Sequence, residues 1–394
     1  MTTLPKADPH PFDDLTLELL RAKNCMKWTY YDPDVLPLWV ADMDFPPPAA
    51  VAEALSERAR SGNLGYPAGY ATGEPGLREA LQAWLAERHR WHVELDDLWP
   101  VHGIIPGLYL GAMACASAGE GVLLQTPLYP PFMSAVKDTG RTAQYSPLRW
   151  SGTRWEMDLA GLEAAITSET RLLMICNPHN PTGRVFERGE LEALAEIVLR
   201  HRLWVVSDEL HSDLVFDGLH IPFASLSDEI AQRTVTLLGP TKTFNIAGLK
   251  IGFIVTQNAG LRARLQRVGS GLVTPPNVMA QAAARAVYTG GGPWLEETLA
   301  YLRGNRDRVG DFMRTYLPDA RYAAPEGTYL AWLELNSLAL GDDLYSTLLG
   351  CGVGLNEGPP YGPGGEGFAR LNFATTGAVV AEALERLKTG LKLG

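Results

Sequence analysis

Five side chains that can do chemistry come shortly after apolar runs in the sequence. The runs are VLLQ (122–125), LLMIC (172–176), LWVV (203–206) and TVTLL (234–238), and the side chains are Tyr129, Asn180, Asp208, His211 and Lys242. A lysine is rarely placed just past a buried strand unless something holds it there. Because a lysine amine condenses with aldehydes, Lys242 is a candidate for covalent catalysis.

The apolar runs alternate with amphipathic stretches from about residue 98, which predicts a parallel α/β sheet. Helices are predicted over 76–90, 187–201, 294–317, around 343–350 and over 379–391, with a further strand over 328–335. In open parallel sheets, ligands bind beyond the carboxyl ends of the strands. The five side chains are therefore expected to meet along one edge of the sheet.

A lysine and a carboxylate at such an edge suit pyridoxal 5′-phosphate (PLP). PLP presents an aldehyde to a lysine and needs a carboxylate against its pyridinium nitrogen, for which Lys242 and Asp208 are suitable. Asn180 can donate to the 3-oxygen of the cofactor, and Tyr129 offers a flat partner for its ring. Lys242 is therefore interpreted as the lysine that forms the Schiff base.

The phosphate group of such a cofactor needs backbone N–H groups at the start of a helix. The strand-like residues WPV (99–101) are followed by HGIIPG (102–107), and a helix is predicted from about Leu108. This loop is a candidate phosphate cradle, to which Thr241 and Lys250 can add a hydroxyl group and a positive charge.

Several motifs resemble those of fold-type I PLP enzymes, in the class I and II aminotransferase superfamily. They are LWVADMDFPPP (38–48), GYPAGY (65–70), CNPHNPTGRV (176–185), SDELHSDLVF (207–216), PTKTFNIAGLKIGF (240–253) and GFARLNFAT (367–375). Within the superfamily, WVADMDF, SDELH and GVGLNEG (352–358) are similar to the MalY/PatB group of cystathionine β-lyases, which are PLP-dependent C–S lyases. The resemblance covers nearly the whole chain.

The resemblance implies an α/β fold in which a mostly parallel sheet, flanked by helices, forms a large PLP-binding domain beside a smaller α+β domain. The implied boundaries are 1–45 for an N-terminal arm and part of the small domain, 46–290 for the large domain and 291–394 for the small C-terminal domain. The Gly/Pro-rich segment 358–367 is one of the few loose stretches, and it lacks the character of a flexible linker.

The resemblance also implies roles for individual residues. Lys242 matches the Schiff-base lysine and is expected to act as the catalytic base. Tyr66 matches a catalytic tyrosine that reaches the phosphate of the neighbouring subunit, and Arg370 the arginine that binds the substrate carboxylate. The remaining cofactor-binding positions are Asp208, Asn180, Tyr129, His211, Ile104, Ile105, Thr241 and Lys250.

Each of these assignments has a structural alternative. Asp208 could cap a helix, Arg370 could form an ordinary salt bridge, and Tyr129 could pack on its proline neighbours. His211 is equally well interpreted as a core histidine, although histidine at this position is typical of the lyase group. The joint presence of lysine, carboxylate and asparagine favours the cofactor interpretation.

The activity implied by the resemblance is β-elimination from L-cystathionine or a related L-cysteine S-conjugate, which yields a thiol, pyruvate and ammonia. Two alternatives remain open at the level of sequence. The same residues serve a class I and II aminotransferase, and a protein that keeps a PLP fold could instead regulate by binding a transcription factor.

Composition narrows the set of partners. The chain has 394 residues and a net charge of −11, which argues against nucleic acid and anionic membranes as partners. It contains no apolar run of about 18 residues, no signal-peptide pattern and no metal-ligand spacing. Four scattered cysteines suit a reducing compartment. A cytoplasmic homodimer with shared active sites, acting on a small amino-acid thioether, is expected.

Overall fold

A computed structural model describes residues 10–69 and 72–394 of the chain. The α-helices of this described part are α1 (Leu17–Arg21), α2 (Met26–Thr29), α3 (Ala49–Ser61), α4 (Leu77–His89), α5 (Ile104–Cys115), α6 (Pro131–Asp138), α7 (Leu159–Ala164), α8 (Arg188–Arg200), α9 (Asp228–Ala231), α10 (Pro240–Thr243), α11 (Ala259–Val268), α12 (Val278–Gly290), α13 (Gly292–Tyr316), α14 (Leu344–Gly350) and α15 (Gly377–Gly390). The strands are β1 (Leu36–Pro37), β2 (Leu98–Val101), β3 (Gly121–Leu124), β4 (Thr142–Tyr145), β5 (Arg149–Trp150), β6 (Trp155–Glu156), β7 (Thr170–Cys176), β8 (Trp204–Asp208), β9 (Thr234–Leu238), β10 (Gly252–Val255), β11 (Leu330–Glu334), β12 (Val353–Gly354), β13 (Asn356–Glu357) and β14 (Phe368–Asn372).

The central sheet has seven strands in the order β2-β10-β9-β8-β7-β3-β4. Its neighbours pair in parallel, except that β10 runs antiparallel to both β9 and β2. The prediction of a mostly parallel α/β sheet is confirmed. The strands predicted from the four apolar runs and from the strand-like segment that ends at residue 101 all lie in this sheet, so that their carboxyl ends share one edge.

Both faces of the central sheet are covered by helices. On β7, Leu172 and Met174 pack into a core with residues of α5, α6 and α11. Leu173 and Ile175 point to the opposite face, where Leu191 of α8 belongs to the same apolar cluster. Since a strand buried on both faces needs apolar residues at consecutive positions, the runs are continuous rather than alternating.

A smaller antiparallel sheet has the order β11-β14-β13. Its core includes residues of α13 and α15, and the N-terminal part of the chain joins it, because Leu36 of β1 pairs in parallel with Val353 of β12. The three-stranded sheet and its helices form an α+β unit beside the central α/β layers. The proposed domain boundaries at residues 45 and 290 stay a prediction.

The start of α5 differs from the prediction. The helix begins at Ile104, not at about Leu108, so that Ile104 and Ile105 belong to its first turn rather than to a preceding loop. The physical reason is that Pro106 is the third helical residue, where its missing N–H would have no intrahelical partner in any case. The helix start therefore lies directly at the edge of the sheet.

Within the described residues, no helix combines the length and apolar character needed to cross a membrane. The described residues also contain no group of three or more histidine, cysteine, aspartate or glutamate side chains that could hold a metal ion.

Candidate active site

A cavity of about 510 Å³ opens at the carboxyl edge of the central sheet. It is lined by ten of the eleven predicted site residues: Ile104, Ile105, Tyr129, Asn180, Asp208, His211, Thr241, Lys242, Lys250 and Arg370. Arg370 comes from β14 of the smaller sheet, and the others come from the central sheet and its connections. The structure therefore brings together residues that are separated by up to 266 positions in sequence.

Lys242 lies in α10, the single helical turn that follows β9. Its Nζ atom donates a hydrogen bond to the carbonyl oxygen of Ala41 over 2.5 Å. Burial lowers the pKa of Lys242, while the charge of Asp42 opposes that shift and the charge of Arg370 adds to it. A lysine in this position is closer to its neutral, nucleophilic form than a surface lysine.

Asp208 is the last residue of β8 and is only 5% exposed. Its Oδ1 atom accepts a hydrogen bond from the backbone N–H of Leu210 over 3.1 Å. Burial raises the pKa of Asp208 to about 7, since no cation lies directly against it in the described part of the chain. A cationic partner placed in the cavity would restore the ionised carboxylate.

Asn180 and Arg370 are in direct contact at the floor of the cavity. Nη1 of Arg370 donates to Oδ1 of Asn180 over 3.0 Å, and Nη2 donates to the carbonyl oxygen of Trp39 over 2.9 Å. Arginine has no acceptor, so the amide oxygen of Asn180 must face it. The amide nitrogen of Asn180 is thereby left available as a donor to a ligand.

His211 is buried, and its ring packs edge-on against Tyr329 with centroids 5.7 Å apart. Its Nδ1 atom is buried without a hydrogen-bond partner among the described residues. Burial, together with the charges of Lys242 and Arg370, lowers the pKa of His211 to about 3. The imidazole is consequently neutral at physiological pH.

The first turn of α5 supplies one wall of the cavity. The backbone N–H groups of Ile104 and Ile105 have no intrahelical acceptor, and a helix start favours anions. Thr241, which is buried, and Lys250, which is exposed, also line the cavity. This set of donors and charge suits a phosphate group.

Tyr66 lies outside this cavity. Its side chain is 92% exposed and lines a separate depression of about 280 Å³ together with Arg58, Glu74 and Arg285. The predicted role of Tyr66 concerns a neighbouring subunit, so its distance from Lys242 within one chain leaves that prediction untested.

Sequence reasoning did not assign a role to Tyr361, which lines the cavity and is 3% exposed. The guanidinium carbon of Arg370 lies 5.4 Å from the centre of the Tyr361 ring.

The segment 358–367 is a packed turn rather than a loose stretch. The backbone N–H of Leu128 donates a hydrogen bond to the carbonyl oxygen of Tyr361 over 2.8 Å. A Cβ atom on Gly358 would lie 1.9 Å from the carbonyl oxygen of Gly365, so the backbone is too close there for a side chain. The many glycines of this segment are the feature of the sequence that could have indicated a tightly packed turn.

Trp39 also lines the cavity. Its carbonyl oxygen accepts from Arg370 and, over 2.7 Å, from Nδ2 of Asn356, which directly opposes Arg370 in the β13–β14 pair. Asn356 was not predicted either. The carbonyl oxygen of Trp39 thus links the side chains of Arg370 and Asn356.

The sequence of the chain matches the family model described as aminotransferase class I and II over residues 33–387. The chain belongs to this family. Among curated relatives, cystathionine beta-lyase PatB of Bacillus subtilis is 39% identical over 366 residues, which cover 91% of this chain and 93% of that protein. Protein MalY of Escherichia coli is 32% identical and covers 88% of this chain and 90% of its own length.

Solved structures place the chain in the same part of the class I and II aminotransferase family. The PLP-bound C–S lyase from Staphylococcus hominis matches with a TM-score of 0.88 at 30% identity, over 97% of this chain and 99% of that one. The predicted membership and the predicted fold-type I architecture are both confirmed.

Proposed function

We propose that the protein is a PLP-dependent carbon–sulfur β-lyase that cleaves L-cystathionine or related L-cysteine S-conjugates. With L-cystathionine and one water molecule, the products are homocysteine, pyruvate and ammonia. The observation that carries the proposal is the cavity that combines Lys242, Asp208 and Arg370 in a chain 39% identical to cystathionine beta-lyase PatB.

The residues of the cavity fit the cofactor. The carboxyl group of Asp208, with its pKa raised to about 7 by burial, calls for a cationic partner such as a pyridinium nitrogen. The free amide nitrogen of Asn180 suits the 3-oxygen, and the first turn of α5 with Thr241 and Lys250 suits the phosphate. Tyr129 is assigned to the ring face, and His211 to the same pocket, where its unpaired Nδ1 atom can meet a polar group.

When bound, PLP supplies an aldehyde for imine formation and a protonated ring that withdraws electrons from the substrate Cα. Lys242 is proposed to take the proton from Cα, a role that its lowered pKa suits. His211 is a poor proton donor at neutral pH because its pKa is about 3. Lys242 is therefore also the candidate to deliver a proton to the departing sulfur atom.

Arg370 is proposed to bind the carboxylate of the amino-acid substrate. Its Nε atom is buried without a partner, and its two Nη atoms are already fixed by Asn180 and Trp39. Such a preoriented guanidinium favours a planar carboxylate over other groups. The specificity for α-amino acids would then come from this arginine.

Two further features belong to the proposal. We propose that Tyr66 reaches the phosphate of a partner subunit, since its exposed side chain does not line the cavity of its own chain, and that the enzyme is a homodimer with shared sites. A cytoplasmic location fits the four unpaired cysteines, of which Cys115 and Cys176 are buried.

The test is to supply the purified protein with PLP and L-cystathionine and to measure pyruvate and free thiol. Equimolar release of both, lost in Lys242→Ala and kept in the control Lys137→Ala, is the expected result. Lys137 is an exposed lysine on α6. A protein that releases no thiol and turns over only when a keto acid is added would instead be an aminotransferase.

A further inference from the structure

Behind the active site, the buried carboxylate of Asp213 binds two elements with its two oxygen atoms. Oδ1 accepts from Nε1 of Trp84 over 3.0 Å and lies 2.9 Å from Nε2 of His89 and 3.3 Å from Nε of Arg88. All three of these partners belong to α4. One oxygen of Asp213 is thus fully committed to a single helix.

The other oxygen has a different partner. Oδ2 of Asp213 accepts a hydrogen bond from Oγ1 of Thr243 over 3.1 Å. Thr243 is completely buried and is the last residue of α10, immediately after Lys242. The carboxylate therefore connects α4 to the turn that carries the lysine.

The loop that contains Asp213 lies between two cavities and contributes side chains to both. Asp208 and His211 line the active-site cavity, whereas Asp213 and His220 line a separate cavity on the other side. Glu209 also turns away from the active site and bonds to Ser207 and His220. The side of the loop remote from the active-site cavity is held by buried charged contacts.

The turn α10 needs such an anchor. It has only four residues, and an isolated single turn is unstable in water because nucleation costs more than one hydrogen bond returns. The backbone N–H groups of Phe244 and Ile246 bond back to Pro240 and Thr241, but these contacts are internal to the segment. On the face of α10 away from the cavity, the hydrogen bond from Thr243 to Asp213 is the one side-chain hydrogen bond that joins α10 to another element within the described part of the chain.

The charge state of Asp213 supports a strong contact. Burial alone would raise the pKa of Asp213, but the hydrogen bond and charge of His89 and the guanidinium of Arg88 hold it below its usual value. An ionised acceptor forms a stronger hydrogen bond than a neutral one.

We propose that Asp213 and Thr243 are positioning residues, which fix the turn α10 so that the Lys242 amine stays aimed at the reacting atoms. Neither side chain lines the active-site cavity, so each acts through Lys242. The inference rests on the proposed role of Lys242, and it extends that role to a rigid support on the reverse side of the loop. Small misplacements matter here, since a shift of about 1 Å can cost roughly 100-fold in rate.

The test uses Thr243→Val, which keeps the shape of the side chain and removes the donor, and Thr243→Ser, which restores it. Trp84→Phe is the matched control, because it removes another donor to the same carboxylate, leaves the bond from Thr243 in place and keeps an aromatic ring beside Phe244. Each PLP-loaded variant is characterised by its melting temperature, by kcat and KM, and by the pH titration of the cofactor absorbance near ~420 nm. Asp213→Asn serves as a fourth variant if it folds.

We expect Thr243→Val to lower kcat about tenfold with KM changed less than about twofold, and to shift the midpoint of the absorbance titration. Thr243→Ser should recover both values, and Trp84→Phe should keep both even if its melting temperature falls. If Thr243→Val and Trp84→Phe lose thermal stability alike and leave kcat and the titration unchanged, the residues are merely structural and the inference is wrong.

Failure of the proposed function is separable from failure of this inference. A wild-type protein that binds PLP but releases no thiol would overturn the lyase assignment, while the absorbance titration would still report on the support of Lys242. A wild-type protein without the absorbance band would overturn both.

Discussion

Nη1 of Arg370 donates a hydrogen bond to Oδ1 of Asn180 over 3.0 Å, and this contact joins the two sheets at the active site. Arg370 lies on β14 of the smaller sheet, and Asn180 follows β7 of the central sheet. The group proposed to bind the substrate carboxylate and the group proposed to bind the cofactor are therefore in direct contact. A substitution of either residue is therefore expected to affect the position of the other.

Arg370→Lys should weaken substrate binding although the positive charge remains. Lysine cannot reproduce the fork that reaches Asn180 and Trp39 at once. Loss of a hydrogen bond to a charged group costs about 1.5–3 kcal/mol, which corresponds to an increase in KM of about 10- to 150-fold for the cysteine conjugate. Steady-state kinetics measure this change. The matched control is Arg188→Lys, an arginine on α8 whose side chain is 59% exposed, and an equal increase there would contradict the assignment.

The buried ion pair of Lys27 and Asp44 should dominate the stability of the N-terminal segment. Their atoms Nζ and Oδ2 are 2.8 Å apart, both side chains are 1% exposed, and Nε1 of Trp28 also donates to Asp44 over 2.7 Å. Lys27→Met removes the ammonium group that contacts this buried carboxylate and is expected to lower the free energy of unfolding by about 3–5 kcal/mol. Denaturant unfolding measures it.

The exposed ion pair of Arg188 and Glu192 on α8 provides the control for that measurement. Its atoms are 3.3 Å apart and both side chains are more than half exposed, so Arg188→Met should cost less than about 1 kcal/mol. Equal effects of the two methionine variants would show that burial does not strengthen the inner pair.

Asp208 should make the cofactor-free protein less stable as pH rises. Its folded-state pKa of about 7 lies above the ordinary value of 3.8, so between these values the folded state binds more protons than the unfolded state. The contribution of Asp208 to stability is therefore lost as pH rises from about 4 to 7, with an upper limit of roughly 4 kcal/mol. Urea unfolding of the cofactor-free protein at several pH values measures this loss.

Asp208→Asn removes the titrating group and should flatten that part of the pH dependence. If the difference in unfolding free energy between the two proteins were independent of pH, the carboxyl group would have an ordinary pKa. With PLP bound, the wild-type protein should lose the effect as well, because a pyridinium partner favours the ionised carboxylate.

Tyr66 is predicted to complete the site of a partner subunit, and mixed dimers test this directly. In a heterodimer of Lys242→Ala with Tyr66→Ala, one site carries both defects and the other carries neither if the tyrosine acts across the interface. Mixing two nearly inactive proteins should then restore activity, up to one functional site per heterodimer. If Tyr66 serves its own subunit, both sites stay defective and no activity returns.

Much of the site could be predicted because it depends on where strands end. Lys242, Asp208 and Asn180 each follow a continuous apolar run, and the carboxyl ends of parallel strands share an edge whatever the order of the strands. The antiparallel strand β10 could not be recognised in this way, since its apolar residues carry no sign of direction. The start of α5 was placed too late because Pro106 was interpreted as a residue of the loop.

Contacts between distant segments were out of reach of local patterns. Tyr361 packs against Arg370 because a glycine-rich turn folds tightly onto the loop before Tyr129, and composition alone suggests a loose segment. Asp213 bonds to α4 across 124–129 positions of sequence, a separation that no periodicity encodes. The sequence therefore predicted the reactive side chains at the edge of the sheet, but it did not predict the contacts of Asp213 that support them from the opposite side of the loop.

The antiparallel direction of β10 has a mechanical consequence for Lys242. The segment 239–251 leaves the sheet at the end of β9 and re-enters it at the start of the neighbouring strand, at the same edge. The segment that carries the lysine is thus attached at both ends to adjacent inner strands of the seven-stranded sheet. At one of these ends Gly252 allows Ile104 of α5 to pack closely, since a Cβ atom there would lie 2.4 Å from Cδ1 of Ile104. Both ends of the segment are fixed in this way, because Leu238 pairs with Phe253, so the backbone amides of these two flanking strands should exchange with solvent only when the sheet itself opens.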